Sequence, residues 1–130
     1  MSGKESRTIG SIGEQAAADF LTANGYTIME RNYHSRYGEI DIIAKNQEYI
    51  VFVEVKTRNE TSGYRPAEAV NKSKQKKFAR TAMLYLTAYP QNLQPRMDII
   101  EVILTKGTKA LGSMTHIENA FCWEDGYAAF

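Results

Sequence analysis

The sequence predicts one α/β domain, residues 1–130, with a mixed central sheet flanked by helices. Two observations predict this class. Two segments carry apolar residues at helical spacing, and four carry the β-branched and aromatic runs that are typical of strands. The expected order is helix, strand, strand, strand, helix, strand. Hydrophobic residues make up 43% of the chain, which is enough for a core of its own.

The first helix is predicted over residues 7–24, after a flexible terminus at 1–6. Gly25 is well placed to end this helix in a left-handed conformation. Gly10 and Gly13 leave one side of the helix without side chains. We therefore expect the helix to approach the sheet closely along that side.

Glu14 lies on the stripe of small and apolar side chains that the first helix would turn toward the sheet. We therefore expect its carboxylate near the sheet. The alternative is an acid placed early in the helix, where the helix dipole favours negative charge.

Three strands are predicted after the first helix, and the first of them covers residues 26–33. The next two, Glu39–Ala44 and Tyr49–Thr57, are rich in Ile, Val and Phe, which favour a buried pleated surface. Residues 45–48 between them are enough only for a hairpin. The two strands are therefore predicted to be antiparallel neighbours.

The predicted hairpin brings acidic side chains together. A symmetric turn about residues 46–47 pairs Glu39 with Glu54 and leaves Asp41 diagonal to Glu54. Because side chains alternate along a strand and paired residues share a face, four charged residues emerge on one side. They are Glu39, Asp41, Glu54 and Lys56.

This acidic face has two interpretations. A polar hairpin face in solvent, joined by a Glu54–Lys56 ion pair, is the simpler one. Against it, Ile43, Ile50 and Phe52 are predicted on the same face, which favours burial. Buried charges are usually paired or bound to a metal. We therefore favour a site.

The second helix is predicted over residues 71–89, with Asn71 as its N-cap and Pro90 directly after its last residue. Phe78 and the apolar residues after it form the inner face. One turn back along that face lies Gln75, a polar side chain that points inward near the start of the helix.

The last predicted strand covers residues 97–104. Arg96 and Asp98, at its start, are expected to pair with each other in a structural role. Residues 106–130 are expected to pack on the core as a C-terminal extension, in which residues 116–121 form a short strand or a closing turn.

The near-zero net charge conceals a basic strip. Residues 56–80 contain eight bases against Glu60 and Glu68, whereas acids outnumber bases in the rest of the chain. Such a strip is the usual footprint of phosphate contacts, although a lysine-rich helix face in solvent is the alternative. The residues expected to contact DNA are Arg58, Lys72, Lys74, Lys76, Lys77 and Arg80.

Acids on a sheet face beside a basic helix point to one chemistry. Carboxylates are hard oxygen ligands that suit Mg²⁺ or Mn²⁺. Such a cation neutralises the acids and binds a phosphate oxygen, which allows the bases to hold a phosphate backbone beside them. Lys56, on the same face as Glu54, is placed to stabilise charge at the phosphorus centre. The pattern predicts metal-dependent phosphodiester hydrolysis.

An Asp followed by a hydrophobic strand that ends in Glu-x-Lys is similar to the signature of the PD-(D/E)XK nuclease superfamily. The wider pattern resembles the small bacterial YraN-like family, and the resemblance covers about residues 10–102. The matching motifs are Gly38-Glu39-Ile40-Asp41-Ile42-Ile43-Ala44, Val51-Phe52-Val53-Glu54-Val55-Lys56-Thr57-Arg58, Gly10-x-x-Gly13-Glu14, Arg31-Asn32, Lys74-Gln75 and Arg96-x-Asp98.

The resemblance implies a restriction-endonuclease-like fold, similar to that of Holliday junction resolvases. It implies that Glu14, Asp41 and Glu54 bind the metal and that Lys56 assists hydrolysis. Gln75 matches a polar residue often found on the helix after the motif. The sequence departs from the superfamily pattern at one point. Ile40 occupies the position at which the superfamily has a proline before the aspartate. YraN-like sequences share this departure.

The first functional hypothesis is a Mg²⁺- or Mn²⁺-dependent DNA endonuclease, with branched or junction DNA as a candidate substrate. In it, Asp41, Glu54, Lys56 and Gln75 are catalytic, Glu14 is a further metal ligand and Glu39 is a secondary one. The second hypothesis is a nucleic-acid-binding module that does not cut. The third is an interaction protein with a purely structural acidic hairpin.

The cysteine content and the apolar runs of the chain indicate its cellular compartment. Cys122 is the only cysteine, so no intramolecular disulfide is possible and a reducing compartment is expected. We expect Cys122 to be a small buried hydrophobe. No apolar run approaches the length that crosses a bilayer. The sequence therefore predicts a cytoplasmic protein without membrane contact, and we expect a symmetric homodimer on DNA.

Overall fold

A computed structural model describes residues 2–60, 72–105 and 110–121 of the chain, with side chains from residue 9 onward. Within these ranges two helices and five strands follow one another. In chain order they are α1 (Ser2–Ala23), β1 (Thr27–Ser35), β2 (Gly38–Lys45), β3 (Tyr49–Asn59), α2 (Lys72–Ala88), β4 (Gln94–Leu104) and β5 (Leu111–Ile117). The α/β class is confirmed, and one strand is added to the predicted order.

The strands form one mixed sheet in the order β1-β2-β3-β4-β5. Strands β3 and β4 run parallel, and the other neighbouring pairs are antiparallel. The parallel pair needs a crossover, and α2 lies on that connection. The arrangement is consistent with a restriction-endonuclease-like α/β fold.

Each face of the sheet carries its own hydrophobic core. The core on the α1 face includes Ala17, Leu21, Ile42, Val53 and Ile100. The core on the α2 face includes Ile43, Phe52, Phe78, Tyr85 and Met97. Because the central strands are covered on both sides, they read in the sequence as nearly continuous apolar runs rather than as strict alternation. Burying each of the Leu, Ile, Val, Phe and Met side chains of these cores contributes roughly 1.5–3 kcal/mol.

The predicted register of the β2–β3 hairpin is wrong by two residues. Ile43 pairs with Phe52 rather than with Ile50. The turn explains the shift, because the Asn46 side-chain oxygen accepts the backbone N–H groups of Glu48 and Tyr49 at 2.9 and 2.7 Å. This local turn displaces the centre of the hairpin toward β3. A shift of two residues leaves each paired side chain on its predicted face.

Helix α1 ends as predicted and begins earlier than predicted. Gly25 has φ +91°, and the Tyr26 N–H donates to the Leu21 carbonyl at 3.0 Å, which closes the helix in a left-handed cap. The helix begins at Ser2 instead of residue 7, so it takes up most of the expected flexible terminus. Residues 2–6 contain no proline, the residue that opposes a helix most strongly.

The end of the chain contains the strand that the sequence left uncertain. Strand β5 starts at Leu111, before the expected segment 116–121, and pairs antiparallel with β4. Its mixed polar sequence gives a weak strand signal because it is a largely exposed edge strand. Phe121 is buried in the core on the α2 face. The predictions for Asn71 and Cys122 lie outside the described residues.

Candidate functional site

The candidate site begins where β2 and β3 separate. Their ladder ends at the pair Ile42–Val53. One residue farther, the Asp41 carboxylate accepts the Val55 backbone N–H at 2.8 Å. The carboxylate thus satisfies a backbone donor that β2 itself does not pair. Asp41 is only 8% exposed, so protein groups rather than solvent surround its side chain.

Side-chain alternation changes at Asp41. Ile42 belongs to the core on the α1 face, whereas Ile40 belongs to the core on the α2 face. On β1, Arg31 pairs with Ile42 and Tyr33 with Ile40, so Asn32 stands opposite Asp41. The predicted unbroken alternation through this point is therefore wrong.

Asn32 accounts for this break in alternation. Its φ is +55°, a conformation that asparagine tolerates better than most residues. This left-handed residue reverses the face to which the next β1 side chains point. The side chains of β2 show the same reversal at Asp41. Both strands therefore change faces at the same level of the sheet, beside the candidate site.

The acids from both strands nevertheless meet in one cleft of about 250 Å³. The cleft opens beside α2, so bases from that helix face the acids. Its lining residues are Tyr37, Gly38, Glu39, Asp41, Glu54, Lys74, Lys77 and Phe78. Asp41 and Glu54 thus share a cavity, although Glu39 does not pair with Glu54 as predicted.

Lys56 is held next to the acids. Its Nζ lies 3.1 Å from a carboxylate oxygen of Glu54. The two side chains are only 13% and 22% exposed, respectively. The ion pair of the solvated-hairpin interpretation is therefore present, but on a largely buried surface. A buried pair needs further polar partners to offset its desolvation.

Burial gives Asp41 unusual acid–base behaviour. It raises the pKa of Asp41 to about 8, and the Glu54 carboxylate adds to the rise. Glu14 and Glu39 act in the same direction, while the hydrogen bond from the Val55 N–H opposes them. Without a compensating positive charge, this carboxyl is therefore mostly protonated at neutral pH.

Glu14 reaches the acids from α1. Burial raises its pKa, the Arg31 guanidinium and an Asn32 hydrogen bond oppose the rise, and Glu39 and Glu54 add to it. Arg31 Nη2 lies 4.0 Å from the Glu14 carboxylate. The sequence expectation that Glu14 faces the acidic strands agrees with this electrostatic coupling.

Gly13 explains why α1 lies so close to the sheet. A Cβ added at this position would overlap the Thr57 side chain on β3. Gly10 does not share this role, because a Cβ there would meet nothing within 4 Å. Of the two glycines expected to permit close approach, only Gly13 is needed.

The donor set suits a hard divalent cation with a small number of protein ligands. Asp41 and Glu54 supply carboxylate oxygens in one cleft. Glu14 is engaged by Arg31, and Glu39 lies 3.2 Å from His34. As they stand, no three acidic, His or Cys side chains of the described ranges are grouped to ligate one ion. Mg²⁺ commonly uses one or two carboxylates with water and substrate phosphate, so Asp41 and Glu54 fit it.

The predicted DNA-contacting residues do not all reach this cleft. Lys74 and Lys77 line it. Lys72, Lys76 and Arg80 are exposed on α2. The exposed lysines extend the positive surface of the helix beyond the cleft.

Two other predicted site residues are half-buried. Arg58 lies on β3 and donates to the Thr57 carbonyl at 3.0 Å. Gln75 lies in the first turn of α2, next to Lys74. Neither is among the lining residues of the cleft.

The sequence interpretation missed Tyr37. This residue lies between β1 and β2 and lines the cleft with the acids. Its neighbour Arg36 places a guanidinium 5.1 Å from the ring centre. The available signal was an aromatic residue between an arginine and Gly38, directly before the acidic strand.

A second polar cluster lies away from the cleft. The expected pairing of Arg96 with Asp98 is confirmed, with Nε and Nη2 donating at 2.9 and 2.8 Å. His116 Nε2 lies 2.7 Å from the same carboxylate, and the Asn119 N–H donates to it at 2.9 Å. Arg96 also donates to the Tyr26 hydroxyl. These contacts tie β4 to β5 and to the turn after it.

Comparisons with known proteins identify the family. The model of the uncharacterised protein family UPF0102 matches residues 13–102, a segment that contains all the predicted site residues. A UPF0102 protein of Caldanaerobacter subterraneus is 45% identical over 116 residues, covering 88% of this chain and 95% of the relative. One of Symbiobacterium thermophilum is 51% identical over 98 residues, covering 75% and 83%. One of Clostridium acetobutylicum is 47% identical over 114 residues, covering 86% and 92%.

The helices of the described ranges include none that is long and apolar enough to span a bilayer. The family model and the relatives both match most of the chain. The protein belongs to the UPF0102 family.

Proposed function

We propose that this protein is a metal-dependent endonuclease that hydrolyses phosphodiester bonds in DNA, with branched or junction DNA as its candidate substrate. One observation carries the proposal. Two acidic residues, Asp41 and Glu54, share a cleft with Lys74 and Lys77. Acids and bases in one cleft suit a ligand with both a cation and phosphate.

The cation, Mg²⁺ or Mn²⁺, would be held by Asp41 and Glu54. When bound, it would supply Lewis acidity and lower the pKa of a coordinated water. Asp41 is suited to holding it, because the hydrogen bond from Val55 fixes one carboxylate oxygen at the end of the β2–β3 ladder. Glu14 and Glu39 would add negative charge around the ion without being its principal ligands.

Lys56 would stabilise negative charge that develops on the phosphate. Its Nζ is already fixed beside Glu54 by an ion pair of 3.1 Å, so little side-chain ordering is needed during the reaction. Lys74 and Lys77 would bind phosphate oxygens at the cleft, and Lys72 and Lys76 would contact the backbone beyond it. Gln75, next to Lys74, would help to orient the strand.

Cleavage assays with two variants test this proposal. Asp41→Asn and Lys56→Ala should each lower Mn²⁺- or Mg²⁺-dependent cleavage at least about 100-fold, because each removes a charge that acts on the transition state. Linear, flapped and four-way DNA are the substrates to compare. Asp19→Asn is the matched control, because Asp19 is an exposed acid on α1 that pairs with Gln15. Unchanged cleavage in both site variants would reject the assignment.

A second candidate, a nucleic-acid-binding module that does not cut, is favoured by a different observation. Each of three acids already has a basic partner: Glu54 has Lys56, Glu14 has Arg31, and Glu39 has His34.

Chelation separates the two candidates. For a module that only binds, EDTA should leave DNA affinity unchanged, and Asp41→Asn should tighten binding only above about pH 8, where the wild-type carboxyl is ionised and repels phosphate. For the nuclease, EDTA should abolish cleavage, and cation should increase the affinity for DNA through Asp41. Cation-dependent product formation therefore rejects the second candidate.

A further inference from the structure

Tyr37 connects the acidic cleft to a second depression on the surface. The cleft ends at the Tyr37 ring. Tyr37 also lines a shallow groove of about 390 Å³, whose remaining lining residues are Arg80, Met83 and Leu84 of α2. A strand that leaves the cleft along α2 therefore crosses this ring and enters the groove.

The surroundings of the ring are positively charged. Arg36 and Arg80 each place a guanidinium over the ring, with Cζ atoms 5.1 and 5.2 Å from the ring centre, so a base that stacks on the ring takes the place of one guanidinium. Lys77 lies in the adjoining cleft. The groove itself offers apolar surface from Met83 and from Leu84, which is 36% exposed. An aromatic ring, apolar side chains and guanidinium groups form a surface that binds a flat base and its phosphates.

The turn that carries Tyr37 is anchored to α2. The Ser35 hydroxyl lies 2.8 Å from that of Thr81, a buried side chain. Ser35 also accepts the Tyr37 backbone N–H at 3.0 Å and donates to the Gly38 carbonyl at 3.2 Å. Gly38 has φ +146°, which a side chain would strain. The ring is therefore placed by a fixed turn and needs little ordering when it binds.

We propose that Tyr37 is a stacking platform for an unpaired nucleobase next to the phosphate that the cleft binds. The inference rests on the proposed function and names its substrate class. A base can stack on this ring only when it has left the double helix. The substrate is therefore a DNA strand with an unpaired nucleotide beside the scissile phosphate, as at a flap or a junction, rather than an intact duplex.

Binding measurements in EDTA test the platform without cleavage. A single-stranded oligonucleotide with 2-aminopurine is compared with a fully paired duplex. Tyr37→Ala should weaken binding of the single strand about 10-fold, within the range for loss of one stacked base, and should change duplex affinity less than about twofold. Tyr37→Phe should keep the affinity of the wild type, because the ring and not the hydroxyl makes the contact.

Tyr89→Ala is the matched control, since Tyr89 is a 54% exposed tyrosine just after the far end of α2. It should leave both affinities unchanged. Equal weakening of single strand and duplex by Tyr37→Ala, or loss of binding in Tyr37→Phe, would overturn the platform and leave the nuclease proposal standing.

Two further outcomes bear on the nuclease proposal as well as on the platform. Tyr37-dependent binding without any cation-dependent cleavage would support the platform and reject the nuclease. A wild-type protein that binds neither DNA would overturn both.

Discussion

Two opposing effects act on the ionisation of the Asp41 carboxyl group. Its carboxylate accepts the Val55 backbone N–H, which favours the ionised form, while burial and neighbouring Glu54 favour the protonated form. The second effect is larger, so the pKa rises to about 8. A carboxyl in this state costs the fold stability when it ionises and regains that stability when a cation binds.

The pH dependence of stability follows from this shift. Because the folded-state pKa of Asp41 lies above its unfolded value, its contribution is fully present below about pH 4 and is lost as pH rises through 8. Asp41→Asn keeps an acceptor for Val55 but cannot ionise. We therefore expect the variant to exceed wild type in free energy of unfolding at pH 9 by several kcal/mol, with a smaller difference at pH 5.

Urea unfolding in EDTA at both pH values measures this difference. In a second arm, Mg²⁺ at ten times its dissociation constant should raise the wild-type free energy of unfolding by about 1.4 kcal/mol and leave Asp41→Asn unchanged. An identical pH profile for the two proteins would show that ionisation of Asp41 does not destabilise the fold. Equal stabilisation by Mg²⁺ would place the cation elsewhere.

Helix α1 depends on a single missing side chain. At Gly13 the helix backbone lies so close to β3 that a methyl group would overlap Thr57. We expect Gly13→Ala to lower the free energy of unfolding by about 1–3 kcal/mol, because the helix must move away from the sheet. Gly10→Ala is the control, and it should be neutral or stabilising by roughly 0.5–1 kcal/mol, since nothing obstructs that position.

Chemical denaturation of both alanine variants measures this effect. The displacement should also move Glu14, the residue that follows Gly13 on α1, away from the acids on the strands. Equal stability of the two variants would mean that α1 adjusts its position at no cost.

Strand β5 is held by a polar cluster as well as by its ladder. Asp98 accepts hydrogen bonds from Arg96 and the Asn119 N–H and contacts His116, so it joins β4, β5 and the turn after β5. Burial alone would raise the pKa of Asp98, but the hydrogen bonds from His116, Arg96 and Asn119 lower it below its ordinary value.

Removing this carboxylate should therefore be costly. Asp98→Ala leaves the Arg96 charge buried without its partner, and we expect a loss of about 3–5 kcal/mol in free energy of unfolding at pH 7. In wild type, the Asp98 contribution is present above about pH 4 and is lost as pH falls through the lowered folded-state pKa.

Glu118→Gln is the control for this cluster. Glu118 is 61% exposed and lies 3.9 Å from Arg96, so its loss should cost less than about 1 kcal/mol. Thermal or urea unfolding of both variants gives the comparison. A similar cost for Asp98→Ala and Glu118→Gln would contradict the structural role of the buried pair.

The molecule as a whole places its two charge types on opposite walls of one cleft. The acids come from the end of the β2–β3 ladder, and the bases come from α2. The formal net charge of +1 hides this separation. A separated distribution gives one surface a positive field although the whole molecule is nearly neutral. The predicted homodimer on DNA would place two such clefts on one substrate.

Much of the fold followed from the sequence because it depends on local chemistry. Apolar periodicity located both helices, and Gly25 marked the end of α1. The runs of Ile, Val and Phe located β2 and β3. Their pairing as a hairpin follows from a short connection. These features need no knowledge of distant contacts, because each is decided by neighbouring residues.

The sequence by itself determined which charged residues lie on the hairpin and on the helix after it, among them Asp41, Glu54 and Lys74. Only the tertiary structure decided their arrangement. The Asn46 turn shifted the register, Asn32 reversed the strand faces, and Ser35 and Thr81 fixed Tyr37 at the mouth of the cleft. Such contacts join residues far apart in sequence or depend on backbone conformation. Side-chain periodicity therefore does not predict them.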